Sequence, residues 1–279
     1  MSAPPADGES DGPAPHLSLV IPAYNEERRL GPTLASVFAY FATQPYTTEV
    51  IVVSDGSGDG TGRVAQEAID QLPRNGPVRA TFYEYQPNAG KGKAVRTGVA
   101  HTLGRYVAFT DADLSTPVEE VDRALAYLQD GGPGDGASRG PYQVVIGSRA
   151  AVGAEVSRVQ PLYRRLSARF FNVLRDGIVG IRGLHDTQCG LKVFAGDVAR
   201  FIFARQRIDG FMFDVETMYI AQRLQLPILE LGVRWADAPE SKVRLTSGFR
   251  LLPDLTRIRL LHRHLSPRAL PVALVAGRR

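Results

Sequence analysis

Four times before Leu114 the chain repeats one pattern. A short apolar run stops at a polar stretch rich in glycine, proline or acid, and an amphipathic helix follows. Leu17–Ile21 ends at PAYNEERRL, Glu49–Val53 runs into SDGSGDGT, Val78–Tyr85 into QPNAGKGKAVRTG, and Val107–Phe109 into TDADLSTP. The spacing of Leu30, Leu34, Val37, Phe38 and Phe41 predicts a helix after the first run, with Asn25 as its cap and Glu26 and Glu27 in its first turn. After the fourth run, Thr116 is expected as N-cap, Pro117 at the first helical position, and Glu119 and Glu120 in the first turn. Strand followed by helix, repeated, predicts one α/β core. Further strands are expected at Val144–Ile146, Leu191–Phe194 and Ile228–Trp235. A helix from Phe211 carries Val215, Met218, Tyr219 and Leu224 as its apolar face. The Gly- and Pro-rich stretch Gly131–Pro141 reads as a mobile loop.

In an open α/β sheet, ligands bind at the carboxyl ends of the strands, so the chemistry is sought in those four mouths. Asp111, Ala112 and Asp113 place two carboxylates two residues apart at a strand's end. Hard oxygen donors of this kind suit Mg²⁺ or Mn²⁺, completed by waters and substrate phosphates; the bland alternative is a polar turn. Asp55 is a candidate acceptor for a nucleobase N–H, unless its loop is a plain turn with Asp59 capping the next helix. Lys91 and Lys93 stand between glycines at a helix start, where ammonium charge and backbone N–H groups can approach phosphate. The spacing is not that of a P-loop. Arg149 follows the Val144–Ile146 strand and faces the same side. Asp186 and Gln188 precede a glycine that permits a tight turn. Asp214 and Glu216 are either ordinary helix-start acids or a carboxylate pair facing the cleft. Ser241, Lys242 and Arg244 are possible phosphate contacts.

The 279 residues carry a formal net charge of +4, and arginine dominates the later half. Two segments combine an apolar stripe with arginines. Ser157–Ile181 has Leu162, Tyr163, Leu166, Phe170, Val173 and Leu174 beside Arg158, Arg164, Arg165 and Arg169. Gly248–Leu265 has Leu252, Leu255, Ile258 and Leu260 or Leu261 beside Arg250, Arg257, Arg259 and Arg263. Basic amphipathic helices can lie in a membrane interface, although packing on the core is the plainer alternative. No apolar run approaches the roughly 18 residues that span a bilayer, so membrane contact is expected to be peripheral. Residues 1–15 lack an apolar signal core and read as a disordered tail. One cysteine, Cys189, excludes an internal disulfide and a multi-cysteine metal site. It is expected to be a buried small residue rather than a nucleophile, since no base stands beside it.

Taken in order, PAYNE (Pro22–Glu26), VVSDGSGDGT (Val52–Thr61), NAGKGKAVRTG (Asn88–Gly98), DADLSTP (Asp111–Pro117), GSR (Gly147–Arg149), DTQCGLKVF (Asp186–Phe194), FDVE (Phe213–Glu216) and ESKV (Glu240–Val243) resemble the family 2 glycosyltransferases of GT-A fold. The likeness is strongest to dolichyl- or polyprenyl-phosphate β-glucosyltransferases. It implies a mostly parallel central sheet flanked by helices, with residues 16–245 as the glycosyltransferase domain and 246–279 as a C-terminal basic amphipathic helix and tail. It implies a nucleotide-sugar donor, a divalent cation (Mg²⁺ or Mn²⁺) and inversion at the anomeric carbon.

Position by position, Pro22, Tyr24 and Glu26 would line the nucleoside pocket and Asp55 would bind the base. Lys91 or Lys93 would meet the donor, and Asp111 and Asp113 would hold metal and ribose or diphosphate. Arg149 would approach the reacting phosphates. Ser54 stands where many relatives have a second aspartate. The expected reaction moves glucose from UDP-glucose to polyprenyl phosphate on the cytoplasmic side of a membrane, with Asp113, Arg149, Asp186 and Asp214 as the catalytic candidates. GDP-mannose as donor is one alternative. A soluble acceptor, which would need Asp186 or Asp214 as base, is another. A nucleic-acid partner is disfavoured, because the strand mouths carry Asp55, Asp111 and Asp113 where a phosphate-tracking groove would be basic.

Overall fold

The computed structural model describes residues 14–131, 142–157, 162–236 and 251–271. Most of the expected tail, the Gly131–Pro141 loop beyond its first residue, Arg158, and Ser241, Lys242 and Arg244 with Arg250 lie outside them. So do the side chains of Arg164 and Arg165.

The elements, in order, are β1 (Leu17–Ala23), α1 (Glu27–Ala42), β2 (Thr48–Asp55), α2 (Thr61–Asp70), β3 (Val78–Tyr85), α3 (Lys91–Ala100), β4 (Tyr106–Phe109), α4 (Glu120–Asp130), β5 (Val144–Ser148) and β6 (Glu155–Val156). Then follow α5 (Leu162–Ile178), β7 (Lys192–Ala195), α6 (Gly196–Phe203), α7 (Phe213–Arg223), β8 (Ile228–Gly232), β9 (Arg234–Trp235) and α8 (Leu251–His262). Among the described residues, seven strands form one sheet in the order β3-β2-β1-β4-β7-β5-β8. All neighbours are parallel except β7, which runs antiparallel between β4 and β5. The expected α/β class with a mostly parallel central sheet is the one observed.

Every residue of β1 is buried, as a parallel strand covered on both faces requires. Its alternation divides the core. Leu19 and Ile21 join α1, α4 and the β2 face of Val50 and Val52, whereas Val20 joins Ile51, Val53, Phe109 and the helices α3, α6, α7 and α8. Helix α8 is part of that second core through Leu255 and Ile258, both fully buried.

Several local expectations fail for identifiable reasons. Asn25 does not cap α1. It sits at φ 53°, and its Oδ1 accepts the Gly58 N–H at 2.8 Å, so it ties two strand mouths together while the helix starts at Glu27. Thr116 does not cap α4. It is buried with its hydroxyl 3.7 Å from Cys189 Sγ, and a turn closed by Glu120 N–H to Pro117 O at 3.1 Å delays the helix to Glu120. The expected strand Ile228–Trp235 divides. Gly232 lies against the Val152 carbonyl, and the chain leaves the main sheet so that β9 pairs with β6. Helix α6 has no counterpart among the sequence expectations. Of the apolar stripe expected on α5, Leu174 packs inward, joined by Phe171 and Ile178, whereas Phe170 and Val173 are 65% and 69% exposed; the side chains of Leu162, Tyr163 and Leu166 lie outside the described residues.

Candidate active site

The four mouths meet along one edge of the sheet. Near the end of β1, Pro22 pairs with Val53 of β2 but lies beyond the last residue of β4. A residue without an N–H is tolerated where a strand loses a neighbour. Tyr24 follows, 45% exposed. Glu26 grips Arg29 with both oxygens at 2.6 and 2.7 Å, and its N–H donates to Thr61 Oγ1 at 2.8 Å.

Asp55, at the end of β2, is buried and committed to its neighbours. Its carboxylate accepts Tyr85 OH at 2.7 Å, Asn88 Nδ2 at 2.9 Å, Ala89 N–H at 2.8 Å and Gly90 N–H at 2.8 Å. Those four donors hold the loop that delivers Lys91 and Lys93. Lys93 Nζ lies 4.4 Å from the centre of the Tyr85 ring, a cation–π contact. Ser54 donates to Glu84 Oε1 at 2.9 Å.

Lys91, the first residue of α3, reaches Asp111 Oδ1 at 2.5 Å. Burial works against the Lys91 charge, but Asp111 and Asp214 outweigh it and hold the ammonium above its ordinary range. Burial likewise opposes the Asp111 carboxylate, which Lys91 nevertheless keeps below its ordinary value. A side chain at Gly190 would collide with Asp111 Oδ2, so glycine there lets the DTQCG turn sit directly under the carboxylate. Ala112 is fixed through its carbonyl, which accepts Thr33 Oγ1 at 2.6 Å. Asp113 Oδ1 accepts the Ser115 N–H at 3.0 Å; among the described residues its other oxygen receives no hydrogen bond.

Arg149 closes the opposite side. Its Nε and Nη2 donate to Asp186 at 2.7 and 2.8 Å, and its backbone N–H adds a third bond at 3.0 Å. The guanidinium also lies 5.4 Å from the Trp235 ring centre. Burial would raise the Asp186 carboxyl, yet the bidentate arginine keeps it depressed. Gln188 adjoins through its N–H to Asp186 Oδ1 at 3.3 Å. Cys189 is buried, and burial together with Asp186 pushes its thiol up, which agrees with a packing residue rather than a nucleophile.

Beneath this layer lies a group the sequence reading passed over. Lys192 is fully buried in β7 and donates to Asp214 Oδ1 at 2.5 Å and to the Cys189 carbonyl at 2.9 Å. Burial raises the Asp214 carboxyl against the pull of Lys192 and Lys91. The signal available in the sequence was a lysine inside the apolar run LKVF. The structure thus brings Lys91, Asp111, Asp113, Arg149, Asp186, Lys192 and Asp214 into one electrostatic cluster, with Asp55 behind it as a clamp. It leaves Tyr24 and Glu26 at the neighbouring mouth.

Opposed cations and carboxylates around an open sheet edge can receive a diphosphate and a second anion. Known proteins show the same arrangement of chain. The sequence profile of "Glycosyl transferase family 2" matches residues 18–195. The chain is 35% identical over 241 residues to the dolichyl-phosphate beta-glucosyltransferase of Drosophila melanogaster, covering 84% of this chain and 71% of that one. It is 34% identical to the human protein of the same name, covering 90% and 76%. Among solved structures, mannosyl-3-phosphoglycerate synthase from Rubrobacter xylanophilus superposes with TM-score 0.59 at 18% identity, over 93% of this chain and 80% of that one. Glucosyl-3-phosphoglycerate synthase from Mycobacterium tuberculosis, in complex with UDP, does so with TM-score 0.56 at 18% identity, covering 88% and 79%. The same mycobacterial enzyme has been crystallised with Mn²⁺ and UDP-glucose. With a profile spanning most of the sheet, close relatives over most of the length and the expected GT-A architecture, this chain belongs to glycosyl transferase family 2.

Proposed function

We propose that the protein transfers glucose from UDP-glucose to dolichyl or another polyprenyl phosphate, with inversion, as a peripheral enzyme on the cytoplasmic side of a membrane. The relatives' names support the glucose, the lipid phosphate and the β product. The observation that carries the reading over a soluble sugar acceptor is the state of the two candidate bases. Asp186 is held by Arg149, and Asp214 by the buried Lys192. A sugar hydroxyl needs a carboxylate free to take its proton, whereas a phosphate acceptor is already anionic at neutral pH. A cluster whose two candidate bases are paired in place therefore suits an acceptor that brings its own charge.

In this reading the acceptor phosphate oxygen attacks the anomeric carbon from the face opposite the diphosphate, the C–O bond to UDP breaks, and UDP leaves. Lys91 and Lys93 bind the diphosphate on the donor side. Arg149, kept rigid by Asp186, orients the acceptor phosphate through its planar donors. Tyr24 and Pro22 line the nucleoside end. Asp55 serves the donor by fixing the lysine loop. Ser241 and Lys242 remain candidates for further phosphate contacts.

A divalent cation fits the donor set. Asp111 and Asp113 offer hard oxygens, and among the described residues one oxygen of Asp113 receives no hydrogen bond. Among the described residues no group of three or more His, Cys, Asp or Glu could hold a metal alone, so an ion here would complete its shell with diphosphate oxygens and waters. When bound, Mg²⁺ or Mn²⁺ would neutralise charge on the leaving diphosphate.

Among the described residues no helix is long and apolar enough to cross a membrane. The test is a donor screen with radiolabelled UDP-glucose, UDP-galactose, UDP-GlcNAc and GDP-mannose, each with polyprenyl phosphate and with or without EDTA. The expected outcome is label in the lipid fraction from UDP-glucose alone, lost with EDTA and restored by Mn²⁺ or Mg²⁺. Transfer from GDP-mannose, or to a soluble sugar, would replace this reading.

A further inference from the structure

We propose that Glu216 is a positioning residue that couples the C-terminal helix to the loop carrying Lys91 and Lys93. The proposal rests on the reading of those lysines as donor contacts. Asp214 and Glu216 are two residues apart on α7, about 200° around the helix, so they serve different neighbours. Asp214 meets Lys192. Glu216, fully buried, turns to the 206–210 segment and to α8.

Its two oxygens accept the Arg207 N–H at 2.9 Å and the Ile208 N–H at 2.8 Å. Oε1 also lies 2.6 Å from Nε2 of His262, the last residue of α8. A carboxylate already receiving two backbone donors accepts a third from the ring, so Nε2 carries the hydrogen. His262 is itself buried, on the same face as Leu255 and Ile258.

The segment that Glu216 holds is bonded to the lysine loop at several points. The Asp209 carbonyl accepts the Lys93 N–H at 3.2 Å. Gln206 Nε2 bridges the carbonyls of Gly92 and Ile208 at 2.9 and 2.7 Å. Arg96 pairs with Asp209 at 2.6 Å. A Cβ at Gly92 would come within 2.5 Å of the Ile208 carbonyl, so backbone touches backbone with no side chain between them to absorb a shift. The connection therefore runs from α8 through His262, Glu216, residues 207–209 and Gly90–Lys93 to the Lys91–Asp111 pair. A displacement of α8 is transmitted to the donor loop because each link is a hydrogen bond, an ion pair or a close backbone contact.

The experiment compares wild type, Glu216→Gln and His262→Ala with Phe41→Leu, a core change on the opposite face of the sheet. Three quantities are measured: UDP affinity in Mn²⁺ by calorimetry, hydrogen exchange of the Lys93 amide, and melting temperature. Expected is at least five-fold weaker UDP binding and at least ten-fold faster Lys93 exchange in Glu216→Gln. His262→Ala is expected to move both the same way, and Phe41→Leu neither, even where its melting temperature falls as far. Glu216 reduced to a structural role would make all three variants track melting temperature alone, and that overturns the proposal. If Glu216→Gln does not fold, His262→Ala decides; unchanged affinity and exchange there overturn it too. Wild type that fails to bind UDP refutes the donor reading instead, and the exchange measurement still judges the coupling.

Discussion

At the scale of single residues, the site is built from charges that cancel in pairs. Arg149–Asp186 gives the sharpest consequence. Burial pushes the Asp186 carboxyl up, but the arginine's bonds and charge prevail and depress it. A carboxyl depressed by folding contributes stability that is present above its unfolded pKa, about 4, and lost as pH falls through the lower folded value. Asp186→Asn removes that contribution at every pH. A hydrogen-bonded charge of this kind is worth about 1.5–3 kcal/mol. The melting temperature of the variant should therefore lie several degrees below wild type at pH 7, at roughly 2–4 °C per kcal/mol. The gap should close on acidification below pH 4. Calorimetric scans of both proteins across pH check this, and a gap that ignores pH would show that the carboxylate charge is not what stabilises the turn.

At the scale of elements, α5 and α8 pack against each other, and each presents a second apolar set to solvent. Phe170 and Val173 on α5 and Leu252 and Leu260 on α8 are 50–69% exposed. Arg169, Arg257 and Arg263 are exposed alongside them. Apolar side chains beside arginines suit the interface of an anionic bilayer. Burying one such side chain contributes about 1.5–3 kcal/mol, so Phe170→Asp with Leu260→Asp should lower co-sedimentation with anionic vesicles at least ten-fold. UDP affinity and melting temperature should stay as they were. Equal sedimentation of variant and wild type would remove these two helices as the docking surface.

At the scale of the whole molecule, donor binding and folding are linked. A ligand that binds the folded chain alone stabilises it by about 2.7 kcal/mol at one hundred times its Kd. UDP with Mn²⁺ should therefore raise the melting temperature by roughly 5–10 °C. Asp113→Ala should keep the unliganded melting temperature, lose the Mn²⁺-dependent part of that rise and lose transfer. A full Mn²⁺ effect in the variant would place the ion elsewhere.

The strand-to-loop-to-helix repeat and the acids, glycines and lysines at the strand mouths were legible in the chain itself, because each depends on neighbours within about ten residues. Tertiary structure decided the rest. Periodicity alone could not tell that Phe171 packs inward with Leu174 while Phe170 and Val173 stay exposed, since adjacent helical residues differ by only about 100° and the choice falls to whatever packs against them. Asn25 and Thr116 have the chemistry of caps, but partners 33 and 73 residues away took up their side chains. Lys192 and Glu216 look like an ordinary strand lysine and a helix-start acid. They become the floor of the site and the tether of its loop only when β7, α7 and α8 come together and exclude water, which forces every buried charge to find a partner.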